Sequence, residues 1–129
     1  MDCSGSDTTG AVFRNTKEMW EHELPGGQSG DWYGKAVDYW AHQPATVNGV
    51  LGGFGQVSPV DVRDSTVFLR EAASALLAEK AAGKRTLTVL DCGAGVGRVS
   101  QELLLPFFDT VDLCEPVPKL LDQARANLT

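Results

Sequence analysis

The sequence predicts an α/β fold with a parallel sheet, and the order of three segments supports that prediction. Residues 86–90 are β-branched or aliphatic, as in a buried strand, and they lead directly into a glycine-rich turn followed by a helix over residues 97–105. A second apolar run, Thr110–Cys114, comes after that helix. A strand, a helix and a second strand in this order are typical of a doubly wound parallel sheet.

The turn after the first strand contains Gly93, Gly95 and Gly97, which allow a tight turn and are expected to expose backbone N–H groups at a helix start. A dinucleotide site has the spacing Gly-x-Gly-x-x-Gly, but its last position is Arg98 here. The observed spacing, preceded by Asp91, resembles the first motif of the class I S-adenosylmethionine-dependent methyltransferases, whose loop holds the amino acid end of the cofactor. A tight βα turn without a ligand is the alternative.

An acidic residue follows the second strand. Glu115 lies about 20 residues past the first glycine, at the carboxyl end of the neighbouring strand, where a carboxylate can accept hydrogen bonds from both ribose hydroxyls of an adenosine. The alternative is an ordinary acid at a helix N-terminus, because Pro116 and Pro118 introduce the last helix. That helix is expected to carry its apolar side chains inward, namely Leu120, Leu121, Ala124 and Leu128.

Three further helices are predicted ahead of the first strand. Asn15 caps a short helix, with Glu18 able to reach back, and an aromatic helix begins near Ser29 or Asp31. The third covers residues 61–82, and its predicted buried face consists of Phe68, Leu69, Ala72, Ala73, Leu76 and Leu77. Between the second and third helices, residues 43–59 are predicted to form a glycine-rich loop that folds back over the site.

Composition limits the function classes. The 129 residues, 43% hydrophobic and 22% charged, have the mix of a soluble globular domain. With no long apolar run and no secretory features at the N-terminus, the sequence predicts an intracellular protein of the cytoplasm or nucleus that does not bind membranes. The net charge of -6 argues against a nucleic acid partner and suits a basic substrate. Cysteine spacing predicts no metal site, and Cys92 and Cys114 are interpreted as reduced core residues.

Four segments together resemble one family, the α-N-terminal protein methyltransferases. They are residues 32–40 (WYGKAVDYW), 44–55 (PATVNGVLGGFG), 90–98 (LDCGAGVGR) and 103–106 (LLLP). The glycine motif is shared by many methyltransferases, whereas Tyr-Trp followed by TVNGVLGGFG is much more specific. The resemblance implies the N-terminal half of a class I, Rossmann-like methyltransferase fold over residues 31–129. Residues 1–30 do not share it, and their polar, glycine-rich composition predicts a variable, partly mobile extension with a short helix.

The resemblance also implies a reaction: transfer of methyl groups from S-adenosylmethionine to the α-amine of a protein whose N-terminus reads X-Pro-Lys or X-Pro-Arg. The implied cofactor-binding residues are Gly93, Gly95 and Arg98 for the methionine portion, Glu115, Pro116 and Val117 for the adenosine, and Tyr39 and Trp40 over the cofactor. Leu51 and Gly52 are implied to shape the entrance for the substrate's first residue.

No catalytic residue is assigned, because in the family the groups that bind and deprotonate the amine come from later in the domain. His22 lies in the variable extension, and His42 is interpreted as a surface or helix C-terminal residue. Since a parallel sheet needs more than two strands, we expect residues 1–129 to be the front of a larger domain, with exposed apolar surface, weak cofactor binding and no turnover alone. Two alternatives stay open: a class I methyltransferase acting on a small molecule, and a non-catalytic truncated interaction module.

Overall fold

The computed structural model describes residues 4–7, 9–24 and 29–129. The chain divides into two compact units, Met1–Tyr39 and Trp40–Thr129. This division falls at a different place from the predicted end of the extension at residue 30, and the predicted domain boundary stays a prediction.

The N-terminal unit contains a short antiparallel pair, β1 (Gly5–Ser6) with β2 (Val12–Phe13), then α1 (Thr16–Glu23) and most of α2 (Ser29–His42). Asn15 caps α1 as predicted, since its Oδ1 accepts a hydrogen bond from the Glu18 N–H at 2.9 Å. The Glu18 carboxylate reaches back one residue further than a capping box requires, to the Arg14 N–H.

Aromatic rings connect the two helices of this unit. The Trp20 ring of α1 lies edge-on to the Trp32 ring of α2 at 6.4 Å, and Trp32 contacts Tyr33 in the same way at 5.2 Å. Such edge-to-face contacts stabilise packing. Trp32 of the predicted aromatic helix therefore packs against Trp20 of the first helix within this unit.

The second unit continues with α3 (Val47–Val50), a 3₁₀ turn (Gly55–Val57), α4 (Ser58–Ala72) and α5 (Ser74–Ala81). The segment predicted as a loop, residues 43–59, thus contains two helical turns. The predicted helix over residues 61–82 is two helices, because Ala73 leaves the helical conformation at φ -104° and ψ 14°. Its predicted buried face is wrong at Phe68, Ala72 and Leu76, which are exposed, whereas Leu69, Ala73 and Leu77 are half-buried. The fully buried residue of α4 is Ser58, in its first turn.

The sheet of this unit is parallel, as predicted. β3 (Thr88–Cys92) pairs in register with β4 (Thr110–Cys114), so that Val89 lies beside Val111 and Cys92 beside Cys114. The strand predicted over residues 86–90 starts two residues later. After β4 comes α6 (Pro118–Leu128), and a π-helical turn, Ser100–Leu104, lies between the strands.

One face of the sheet is open within the described part of the chain. Along each strand, exposed residues alternate with half-buried ones, and Leu90 lies on the exposed face. Cys92 and Cys114 share that face, so the interpretation of both as core residues is wrong. That face also carries Thr88, Thr110 and Asp112, so it is of mixed polarity.

The core of the second unit lies where the glycine turn meets α6. Its buried side chains include Leu87, Val96, Leu103, Leu104, Val117, Leu120 and Ala124. At Gly97 the backbone has φ +79°, and a Cβ there would lie 3.2 Å from both Ala124 Cβ and Leu128 Cδ1. The third glycine of the motif is therefore required for close packing of the turn against α6. Among the described helices, none is long and apolar enough to cross a membrane.

Asp109 holds the start of the sheet together. Its Oδ2 accepts a hydrogen bond from the Leu87 N–H at 2.8 Å, and its N–H donates to the Leu87 carbonyl at 2.9 Å. Lys80 of α5 places its Nζ 3.2 Å from Asp109 Oδ1 and donates to the Phe107 carbonyl at 2.7 Å. The Leu87 N–H, with a smaller contribution from Lys80, holds the pKa of the Asp109 carboxyl below its ordinary value.

This lowered pKa predicts acid sensitivity. Because the pKa of Asp109 is lower in the folded than in the unfolded chain, the carboxylate stabilises the fold above about pH 4, and that stabilisation is lost as the pH falls through the folded-state pKa. We expect Asp109→Asn to lower the Tm near neutral pH and to make the Tm less dependent on pH in the acid range. Thermal melts monitored by circular dichroism over a pH series measure both effects.

Asp112→Asn is the matched control, since Asp112 is exposed on β4 and its replacement removes the same charge. We expect its Tm to follow that of the wild type. Equal melting temperatures for the two variants at neutral pH would contradict the role given to Asp109.

Candidate functional site

The glycine turn is fastened to the end of the neighbouring strand. The Gly93 N–H donates to the Cys114 carbonyl at 2.7 Å, and the Gly95 N–H donates to Glu115 Oε2 at 2.8 Å. The Gly97 N–H donates to the Ala94 carbonyl at 2.9 Å. The expectation that these glycines expose N–H groups to a ligand is therefore wrong, because all three N–H groups have acceptors within the chain.

Glu115 connects two turns with one carboxylate. While Oε2 holds the Gly95 N–H, Oε1 accepts from the Val117 N–H at 2.8 Å, just ahead of α6. Both interpretations of Glu115 thus correspond to observed geometry, since it lies at the carboxyl end of β4 and beside a helix N-terminus. A carboxylate has about four acceptor positions, so two remain for the hydroxyls of a ligand.

The two residues after Glu115 differ in what they can offer to a ligand. Pro116 is exposed, whereas the Val117 side chain is 1% exposed and belongs to the core. The main chain of Val117 is engaged as well, because its N–H donates to Glu115 Oε1 and its carbonyl accepts from the Leu120 and Leu121 N–H groups, so Pro116 is the residue of the two that is open to a ligand.

Helix α3 lies over the middle of the glycine turn. Gly95 has φ +56°, and a Cβ there would lie 3.6 Å from Val50 Cγ1. Leu51 and Gly52, the predicted entrance residues, follow Val50 directly in the chain. Sequence reasoning placed this segment over the site but missed Val50 as the contacting side chain.

Two polar side chains fix the position of α3. Thr46 caps it, with Oγ1 accepting from the Gly49 N–H at 3.0 Å, and Asn48 Oδ1 accepts from the Gly55 N–H at 3.0 Å. A Cβ at Gly49 would collide with the Pro44 carbonyl oxygen. The chain over the turn is thus held in one conformation by local hydrogen bonds.

Arg98 points towards the first turn of α4. Its side chain is 11% exposed, its Nη2 lies 2.8 Å from Asp61 Oδ2, and its Nη1 donates to Ser58 Oγ at 3.2 Å. Sequence analysis assigned Arg98 to a cofactor carboxylate, and the structure gives it a carboxylate partner within the chain. Sequence reasoning missed Ser58 and Asp61 because they are distant from Arg98 in the sequence. A nearly buried guanidinium needs an acidic partner, but that need does not identify which acid of the chain supplies it.

A further missed residue, Ser100, orients the acid ahead of the glycines. Ser100 is fully buried, and its Oγ donates to Asp91 Oδ2 at 2.7 Å. This bond connects the end of β3 to the π-helical turn after the glycines, so the two ends of the glycine turn are held together. A serine so close to the motif is visible in the sequence, but its burial is not.

The predicted aromatic cover lies on α2. Tyr39 belongs to the N-terminal unit and Trp40 to the second, and both side chains are exposed. Within the second unit, Lys119 Nζ donates to the carbonyls of Ala41 at 2.9 Å and Gln43 at 2.6 Å. The C-terminal end of α2 is therefore tied to the first turn of α6, and His42, the last residue of α2, is exposed as predicted.

In the parts of the chain that the structure describes, no three His, Cys, Asp or Glu side chains are grouped so as to hold a metal ion. The polar groups around the glycine turn are instead one guanidinium and several carboxylates. Such groups suit a ligand that carries hydroxyls and a carboxylate of its own.

The fold defines the class of protein. A solved structure of a SAM-dependent methyltransferase from Leishmania major, 44% identical in sequence, matches this chain with a TM-score of 0.81. The match covers 100% of this chain and 50% of that chain. The chain therefore has part of the class I, Rossmann-like methyltransferase fold, and the predicted fold class is confirmed.

Sequence comparison narrows the class to a family. Residues 28–129 match the family described as AdoMet dependent proline di-methyltransferase, and the chain belongs to this family. It is 41% identical over 131 residues to alpha N-terminal protein methyltransferase 1 of Arabidopsis thaliana, covering 99% of this chain and 48% of that protein. It is 43% identical over 96 residues to N-terminal Xaa-Pro-Lys N-methyltransferase 1-B of Xenopus laevis, covering 74% and 41%.

These matches confirm the family resemblance noted in the sequence. The chain spans about half the length of the curated relatives that it matches. The comparisons do not test the individual site residues, whose roles stay predictions.

The bridging role of Glu115 predicts a loss of stability on its removal. Glu115→Ala leaves the Gly95 and Val117 N–H groups without their acceptor, and we expect it to lower the free energy of unfolding by about 1–3 kcal/mol. Urea unfolding followed by tryptophan fluorescence measures this change. Asp112→Ala, which removes an exposed carboxylate from the same strand, should have little effect, and equal losses in both variants would argue against the bridge.

Proposed function

We propose that this chain forms the S-adenosylmethionine-binding part of an enzyme that transfers methyl groups to the α-amino group of proteins. The proposed acceptors have an exposed Xaa-Pro-Lys or Xaa-Pro-Arg N-terminus. The observation that carries the proposal is a glycine turn closed by Glu115, in a chain that belongs to a family of AdoMet-dependent methyltransferases. The acceptor, a protein N-terminus of this kind, is inferred from the names of the relatives.

The residues around the turn fit this cofactor. Of the five N–H donors of a guanidinium, Asp61 and Ser58 engage two on Arg98, so the others are available to the carboxylate of the methionine portion. Glu115 keeps acceptor positions for the ribose hydroxyls. The turn itself allows close approach of a ligand at Gly93, where a Cβ would have open space around it, whereas the missing side chain of Gly95 makes room for Val50.

The remaining roles follow the same assignment. Pro116, supported from the core by Val117, would line the adenine, Tyr39 and Trp40 would cover the cofactor, and Leu51 and Gly52 would form the edge past which the acceptor enters. The bound cofactor would supply a methyl group activated by its sulfonium. The contribution of this chain is binding, orientation and exclusion of water around that group.

The proposed acceptor, the α-amine of a protein, needs to lose only one proton before it can accept a methyl group. An α-amine has an ordinary pKa of about 8, so removal of one proton near neutral pH makes its lone pair available. The net charge of -6 on the chain favours the approach of an N-terminus that carries Lys or Arg. We assign no residue of this chain to the deprotonation step, and we propose that residues 1–129 alone do not turn over the acceptor.

Calorimetry tests the cofactor part of the proposal. We expect titration of S-adenosylmethionine into the chain to release heat, and Gly95→Val to abolish it, because a valine at φ +56° is strained and would crowd Val50. Gly83→Val is the matched control, since Gly83 also has positive φ but has open space around it. Absence of binding by the wild type would reject the proposal.

A hybrid enzyme tests the acceptor. In it, residues 1–129 replace the matching half of the Arabidopsis thaliana relative, and binding of S-adenosylmethionine verifies that the hybrid folds. We expect radiolabelled methyl transfer to a peptide with a free Xaa-Pro-Lys N-terminus and none to its N-acetylated form. Transfer to small amines alone would favour a small-molecule methyltransferase, and binding without any transfer would favour a non-catalytic module.

A further inference from the structure

We propose that Asp61 is a positioning residue for the cofactor, which holds the Arg98 guanidinium in the orientation that receives the carboxylate of the methionine portion. The inference rests on the proposed function and adds to it a residue of α4. Asp61 lies in the first turn of that helix, 2.8 Å from Arg98 Nη2. Its role is indirect, because it acts through Arg98.

The hydrogen-bond partners of Arg98 fix the orientation of its guanidinium. A guanidinium that is only 11% exposed needs an opposite charge, and Asp61 supplies it at one nitrogen while Ser58 Oγ accepts from the other terminal nitrogen. Two fixed partners define the plane of the rigid guanidinium of Arg98, so its remaining N–H groups point in a fixed direction. The guanidinium is thereby oriented before any ligand binds, which lowers the entropy lost on binding.

The two partners are themselves anchored. Ser58 is buried, and its hydroxyl donates to Glu102 Oε2 at 3.4 Å, so the first turn of α4 is fixed against the π-helical turn Ser100–Leu104. Asp61 is 48% exposed, which leaves solvent access beside the pair. The pair is therefore open to a ligand carboxylate on the side of Asp61.

A competing role for Asp61 makes the opposite prediction. If its carboxylate merely occupied the place of the ligand carboxylate, removing it would free Arg98 and tighten binding. If it orients Arg98, removing it weakens binding, and only for ligands that have a carboxylate. The sign of the effect and its dependence on the ligand thus separate the two roles.

The experiment measures binding of two ligands by calorimetry with the full chain. S-adenosylhomocysteine carries the amino acid portion, whereas 5′-methylthioadenosine has the same adenosine without it. We expect Asp61→Asn, which preserves the side-chain volume, to lower the affinity for S-adenosylhomocysteine by about tenfold. Its affinity for methylthioadenosine should stay within about twofold of the wild-type value. Asp61→Glu should restore part of the affinity for S-adenosylhomocysteine.

Asp64→Asn is the matched control, because Asp64 lies one turn further along α4, is paired with Arg63 and carries the same charge. We expect it to bind both ligands as the wild type does. Tighter binding of S-adenosylhomocysteine by Asp61→Asn, unchanged binding, or equal weakening of both ligands would each overturn the inference and leave the proposed function intact. Failure of the wild type to bind S-adenosylhomocysteine would overturn both.

Discussion

The second unit depends on the carboxylate of Glu115. Gly95 lies in the turn after β3 and Val117 lies just before α6, and Glu115 holds the N–H groups of both. Charge-assisted hydrogen bonds of this kind are stronger than neutral ones. Here they connect the glycine turn after β3 to the segment just before α6. The position of the glycine turn, the start of α6 and the parallel register of β3 and β4 are therefore mutually dependent.

Around this bridge, the functional groups come from segments far apart in sequence. The turn brings Arg98, the end of β4 brings Glu115, and α4 brings Asp61 and Ser58. α3 adds an apolar cover through Val50. Each segment is held by a polar contact at its end, so the site has a fixed shape although much of the surrounding sheet face is exposed.

Sequence reasoning succeeded where local rules determine the structure. The spacing of the glycines, the apolar run of β4 and the Asn15 cap depend on neighbouring residues, and the structure has all three. It failed where the outcome depends on what packs against an element. Phe68 and Cys92 are apolar by type but exposed, and the partner of Arg98 could not be chosen among the acids of the chain. The N–H groups of Gly93 and Gly95 were wrongly expected to be available to a ligand, because their acceptors, the Cys114 carbonyl and the Glu115 carboxylate, are distant in sequence.

The contact of Gly97 with Ala124 and Leu128 affects how the turn can open. Since the turn rests directly on α6, at a point where Gly97 itself has no side chain, local unfolding of the turn is expected to require that α6 leave the core as well. Turn and helix then behave as one cooperative unit of folding, and the amides of the turn exchange their hydrogens only as often as α6 detaches. A site built in this way spends little time in open conformations that a ligand would have to reorder.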